Sequence, residues 1–253
     1  HIPVVVHEQN SVMGMANAYL AKRAQAVCLT YDHAAKALKD TSRVHLTGNP
    51  VRAQVFDATR ASGRAYFDIP EDALMLLVTG GSLGARHLNS ALVKLKDTLL
   101  GYDNLFIVHV TGPKELETVQ TELALTDEEQ KRWKLFGYTD HMGDAMAAAD
   151  LIVSRAGATS LAEISARALP ALLVPFPYAT EDHQTMNAQA CVQAGAAKMI
   201  ADADVESEAF ATTLCEMIES AELRQRMREA AGQMETMQAA ERLADIVMNV
   251  AQG

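Results

Sequence analysis

The chain has 253 residues, 49% of them hydrophobic, 21% charged and 5% aromatic, with a formal charge of −10. Those proportions argue against a disordered tail. The acidic balance, with no Lys/Arg cluster, argues against a nucleic-acid partner, and no apolar run approaches the ~18 residues of a membrane span.

In chain order, the opening segment HIPVVVHEQN begins on an apolar strand with no Met, signal peptide or helix cap. Such a strand ordinarily has neighbours on both sides, so residues preceding His1 are expected to be missing. A polar loop HEQNSVMG follows, then a helix around MANAYLAKRA, a short strand AVCLT and the segment VHLTGNPVR. Residues 1–51 are too few for an α/β domain of their own and are expected to be the tail of a first domain. Gly48 and Pro50 interrupt regular structure and mark the expected hinge.

From residue 74 short apolar runs alternate with helical patterns. LMLLVTG, LFIVHVTG, LIVSRAG and ALLVPF read as buried parallel strands, and HLNSALVKLKDTL, HMGDAMAAA, SLAEISARA and QTMNAQACVQAG as the helices between them, the last ending at Gly195. This pattern predicts a doubly wound α/β domain over residues 52–235. From about Glu222 an Ala/Met/Glu-rich stretch reads as one long helix, with residues 236–253 expected to return to the first block. Cys28, Cys191 and Cys215 are odd in number and lack metal spacing, which suggests neither a disulfide framework nor a zinc site and fits a reducing cytoplasm.

Several segments at strand ends carry candidate chemistry. In VTGGSLGARHLN, Gly80, Gly81 and Gly84 either let a backbone approach a ligand, with the following helix start attracting an anion and Ser82 adding a hydroxyl, or merely permit a tight turn. The turn is neither a GxxxxGK[ST] loop nor a good GxGxxG, which disfavours an ATPase or a dinucleotide oxidoreductase. In SRAGATSLAE, Thr159 and Ser160 can cap a helix, and Glu163 suits either a capping box or a bidentate acceptor for two ribose hydroxyls. Asp182, His183, Gln184 and Asn187 cluster at a helix start, fit either to sugar hydroxyls or to an ordinary N-cap at Asp182 with a solvated face. His7, Glu8, Gln9 and Asn10 follow a buried strand, where polar groups usually face a cleft, although a lone histidine such as His7 is by default a hydrogen-bonded core residue; Arg52 beside the hinge suits a diphosphate or merely the surface.

Taken in order, HEQNSVMGMAN, GNPVR, TGGSLGARHLN, ADLIVSRAGATSLAEI, LPALLVPFPYATEDHQTMNA and AGAA resemble the motif set of the MurG family, and the match runs from residue 1 to the C-terminus. Members of that family transfer GlcNAc from UDP-GlcNAc to undecaprenyl-pyrophosphoryl-MurNAc-pentapeptide. The resemblance implies a GT-B α/β fold, here a complete C-terminal Rossmann-like domain plus the remnant of an N-terminal one. It also implies an inverting reaction without metal or cofactor, and a peripheral location on the cytoplasmic side of the bacterial membrane. Donor-contacting positions match Asn10, Arg52, Ser82 and the stretch Ala158, Thr159, Ser160, Leu161, Ala162 and Glu163, with Glu163 on the ribose. Gln184, or His183 beside it, matches the GlcNAc contact, and Thr139 the position whose backbone meets uracil, although YTDHM departs from the family's usual apolar residue. His7 is the one candidate base here. It is placed more readily behind the reacting centre or toward the acceptor, the principal base being expected upstream of residue 1, so that this stretch alone is expected to be inactive. A UDP-GlcNAc 2-epimerase-like isomerase and a non-catalytic UDP-sugar-binding module are the alternative readings.

Overall fold

The computed structural model describes residues 2–81, 85–234 and 238–252, with the backbone alone at Thr180. A three-stranded parallel sheet comes first, in the order β1 (Val5–Glu8), β2 (Ala26–Leu29), β3 (Val44–Leu46), with helix α1 (Met15–Ala21) crossing between the first two. Register pairs Val6 with Val27 and Cys28 with His45. Val6, Met13, Ala21, Ala24, Val27, Leu29 and Ala34 form its core. Strand β1 does not stop where polar residues begin but runs through His7 and Glu8, because period-two alternation turns Val6 and Glu8 inward together. The Glu8 carboxylate, 3% exposed, then finds its partners in the loop that follows.

Two short helices, α2 (Ala53–Asp57) and α3 (Arg60–Phe67), lead into the second sheet. Its strands are β4 (Leu74–Thr79), β5 (Leu105–Val110), β6 (Trp133–Phe136), β7 (Leu151–Ser154), β8 (Ala171–Leu173) and β9 (Ala197–Met199). They are all parallel, in the order β6-β5-β4-β7-β8-β9. Between them run α4 (Arg86–Lys94), α5 (Lys96–Leu100), α6 (Leu116–Leu123), α7 (Asp127–Arg132), α8 (Met142–Ala148), α9 (Ala158–Ala166) and α10 (His183–Gln193). Helices α11 (Glu208–Glu219), α12 (Ala221–Gly232) and α13 (Ala239–Gln252) complete the chain. Alternate residues of β4 feed two cores: Leu76 and Val78 pack with Leu88, Leu92 and Phe210 on one face, Met75 and Leu77 with Phe67, Met146 and Ile164 on the other. Burial on both faces is why these strands are continuous apolar runs.

Strand order reverses at β4, which has β5 on one side and β7 on the other, and ligands of open α/β sheets bind at such a point, outside the carboxyl ends of the strands. Close approach of helices shapes the rim there: a Cβ on Gly143 would lie 2.4 Å from the Gln54 carbonyl oxygen, so α2 can lie against α8 only because that position is glycine.

The structure departs from the sequence reading in three further places. The helix read over 87–99 breaks at Leu95 (φ −92, ψ 9) into α4 and α5, which lets Leu99 turn into the core. The long C-terminal helix is two, α12 and α13, parted after Gly232, since α12 packs on α9 of the second sheet while α13 lies against β2 of the first. Strands β6 and β9 had no clear apolar signature: each is an edge strand carrying a lysine, Lys134 or Lys198, which protects a sheet edge from unwanted pairing.

Candidate nucleotide site and its relatives

At the carboxyl ends of β4, β5 and β6 lies a cavity of about 370 Å³, walled by Gly81, Gly137, Tyr138, Thr139, Thr159, Ser160, Glu163 and Arg52, with Val110, Met142 and Met146 as its apolar floor. Gly81 takes φ +80, a left-handed turn that favours glycine, and its N–H donates to Thr79 Oγ1 at 3.2 Å. Gly80 joins it to the end of β4; Ser82 and Gly84, the rest of the expected phosphate turn, lie outside the described residues.

Glu163 sits on α9 with its side chain only 5% exposed, and Arg52 Nε donates to its Oε1 at 2.7 Å. That bond, opposed by partial burial, raises the Arg52 pKa. The capping-box reading of this segment does not hold: the N-cap is Gly157 with no side-chain bond, and Glu163 stands in the second helical turn. The helical repeat sorts the stretch 158–163 instead. Thr159, Ser160 and Glu163 face the cavity, Ala158 opens the helix, and Leu161 and Ala162 turn toward the interior and a second hollow shared with Thr30 and Gly48. Thr139 is buried, and its Oγ1 accepts the His141 N–H at 3.0 Å, so its side chain shapes the turn into α8. Arg52, expected at a diphosphate, is held at the acid.

A second group gathers at the seam between the sheets. Asn187, fully buried, accepts the Ser11 N–H at 2.8 Å and donates to Asn10 Oδ1 at 3.2 Å and to the Ala156 carbonyl at 3.3 Å. Asn10 in turn reaches Glu8, whose carboxylate also accepts from the Gly14 N–H and from Asn17. Burial works to raise the Glu8 pKa, but these hydrogen bonds outweigh it and hold the carboxyl below its ordinary range. His7 Nε2 lies 3.0 Å from the Gly48 carbonyl oxygen, so it carries the proton and ties β1 to the hinge segment.

Gln184 Oε1 accepts two backbone N–H groups, from Ala156 at 3.1 Å and Phe176 at 2.9 Å. Two donors on one atom fix it as the amide oxygen, which leaves the Nε2 group as Gln184's hydrogen-bonding handle for a ligand. Asp182 is not an ordinary N-cap: it takes φ +53, makes no capping bond, and accepts from Thr185 Oγ1 at 2.7 Å. His183 is half-buried at the start of α10.

The structure thus brings Arg52, Gly81, Thr139, Thr159, Ser160 and Glu163 to one cavity, and His7, Asn10 and Asn187 to the seam. The sequence reading missed Tyr138 and the Val110–Met142–Met146 floor, which carry no local signal beyond a strand end and a helical apolar repeat. Among the described residues no helix is long and apolar enough to cross a membrane, and no group of three or more His, Cys, Asp or Glu could hold a metal ion.

Two parallel Rossmann-like sheets, with a cavity at the switch point of the second, define the GT-B fold class. The S. aureus MnaA–UDP co-structure shares this fold, with a TM-score of 0.73 at 17% identity over 99% of this chain and 71% of that one. Residues 75–243 match the glycosyltransferase family 28 C-terminal domain. The UDP-N-acetylglucosamine--N-acetylmuramyl-(pentapeptide) pyrophosphoryl-undecaprenol N-acetylglucosamine transferase of Carboxydothermus hydrogenoformans is 39% identical over 92% of the chain and 62% of its own length. The protein of the same name from Halothermothrix orenii is 33% identical over 100% of the chain and 69% of its own length. The crystal structure of Acinetobacter baumannii MurG superposes with a TM-score of 0.73 at 29% identity, covering 98% of this chain and 68% of that one. The chain belongs to glycosyltransferase family 28, in the family of these N-acetylglucosamine transferases, and spans about two thirds of the length of the curated relatives it matches.

Proposed function

We propose that the protein transfers GlcNAc from UDP-GlcNAc to the C4 hydroxyl of MurNAc in undecaprenyl-pyrophosphoryl-MurNAc-pentapeptide, converting lipid I to lipid II in peptidoglycan synthesis. The observation that carries this reading is the buried Glu163 carboxylate in the same cavity as the Gly81 turn. An acid shielded from water and held by one arginine suits the paired hydroxyls of a ribose. The α4 N-terminus beyond the glycines suits the diphosphate, through unpaired N–H groups and the helix dipole. Uracil fits over the Val110–Met142–Met146 floor against the Thr139 backbone, and Gln184 offers its N–H groups to GlcNAc hydroxyl oxygens.

In the reaction a base takes the proton from the MurNAc C4 hydroxyl as that oxygen attacks GlcNAc C1, the configuration inverts, and UDP leaves against the α4 dipole without a metal. His7 donates from Nε2 to the Gly48 carbonyl, which leaves Nδ1 as its one proton acceptor, and we do not assign it as that base. Arg52 serves the ribose acid first and reaches the diphosphate only if ligand binding releases it. The enzyme would work as a peripheral protein on the cytoplasmic face of the membrane, where its lipid-linked acceptor resides.

Incubation with radiolabelled UDP-GlcNAc and the lipid-linked MurNAc-pentapeptide tests the proposal, alongside calorimetric titration with UDP-GlcNAc. Saturable UDP-GlcNAc binding with label moving into the lipid supports it. Appearance of UDP-ManNAc without transfer would place the protein among isomerases, and no affinity for UDP would remove the site assignment.

A further inference from the structure

Behind the cavity lies a buried charge that the functions above leave unused. Arg155, 8% exposed in the turn between β7 and α9, donates from Nη1 to the carbonyl oxygens of Val174 and Pro175, each at 3.2 Å, and to Asp202 Oδ1 at 2.5 Å. Its guanidinium also lies over the Phe176 ring, 5.7 Å from the centroid. Asp202 is in the short turn after β9, and its second oxygen meets His87 Nδ1 at 2.9 Å. Burial works to raise the Asp202 pKa, but the bonds from His87 and Arg155 outweigh it, so both partners face a carboxylate. His87 is the second residue of α4 and stays 42% exposed.

Three residues far apart in sequence thereby join the start of α4, the end of β7 and the first residues of the loop after β8. That loop needs anchoring, since Glu181 and Asp182 both hold left-handed φ values, +54 and +53, which non-glycine residues rarely adopt. Arg155 pins its beginning at Pro175, and Gln184 pins its end through the N–H groups of Ala156 and Phe176. Desolvating a guanidinium costs several kcal/mol and is repaid only by good geometry, so this arrangement is a poor way to gain stability and a good way to fix positions.

We propose that Arg155, Asp202 and His87 are positioning residues that set the distance between the α4 N-terminus and the loop bearing Gln184, and so match the site to a diphosphate carrying a sugar. This rests on the UDP-GlcNAc reading above. None of the three lines the nucleoside cavity, which places their effect on the sugar diphosphate and not on uridine.

Calorimetric titration of the full chain with uridine and with UDP-GlcNAc tests the relay in Arg155→Lys, Asp202→Asn, His87→Ala and His87→Gln. UDP-GlcNAc affinity is expected to fall by about 3- to 30-fold in the first three, the span of coupling energies found along such networks. Uridine affinity should hold, and His87→Gln, which keeps a donor for Asp202, should recover most of the loss. Folded variants that keep the parent ratio of the two affinities, or lose both ligands equally, overturn the proposal. Should the buried substitutions fail to fold, the half-exposed His87→Ala and His87→Gln pair decides it by the same ratio. Absence of any uridine or UDP-GlcNAc binding in the unaltered protein overturns the nucleotide-sugar reading, and the relay's role with it.

Discussion

Replacing Glu163 with glutamine isolates the charge of the proposed ribose acid while keeping its shape. Arg52 Nε, now 2.7 Å from Oε1, can still donate to an amide oxygen there, so the wall of the cavity should persist. Because the Arg52 side chain is 55% exposed, solvent already screens the ion pair, and the unfolding free energy should change by less than about 1 kcal/mol. Binding should respond far more. A hydrogen bond to a charged acceptor contributes about 1.5 to 3 kcal/mol against about 0.5 to 1.5 for a neutral one, so two ribose hydroxyls together should lose about 2 to 3 kcal/mol. That corresponds to UDP affinity weaker by about 30- to 150-fold. Titration calorimetry with UDP and 2′-deoxy-UDP reads this directly, and the parent's preference for the ribose form should shrink in the variant. A glutamine variant that binds UDP within about twofold of the parent would refute the ribose role, since no pair of charge-assisted bonds is so easily replaced.

Three other perturbations follow from the geometry. Gln184→Glu keeps an oxygen for the Ala156 and Phe176 N–H groups but removes both donors, so UDP-GlcNAc should weaken by about 3- to 10-fold with UDP binding unchanged, as titration with both ligands would reveal. Complete burial pushes the His109 pKa down from 6.5 to about 3, so between those two values the unfolded chain takes up a proton that the folded chain does not. Stability should then decline as pH falls, by about 2 kcal/mol between pH 6.5 and 5, and His109→Gln should flatten that slope in urea unfolding. Gly143→Ala sets a methyl against the Gln54 carbonyl and should cost about 1 to 3 kcal/mol, seen as a lower Tm.

Local signals carried much of the architecture. Continuous apolar runs announced β4, β5, β7 and β8, because strands buried on both faces have no polar side to show. Glycine marked the turn after β4 and the end of α10, where Gly195 takes φ +78, since backbone of that hand favours it wherever it occurs. The edge strands β6 and β9 escaped notice because a solvated edge tolerates lysine and needs no apolar run.

The candidate site divides along the same line. Glu163 and the glycines were legible as types at strand ends, but which of residues 158–163 face the cavity follows from the roll of α9 against the sheet. Pairings such as Arg52 with Glu163, Asn10 with Asn187 and Arg155 with Asp202 join residues distant along the chain. Turn chemistry and periodicity act over a few residues and are written in order along the chain. Those distant pairs come together only once strand order and helix packing have placed their backbones, and that is what the tertiary structure decides.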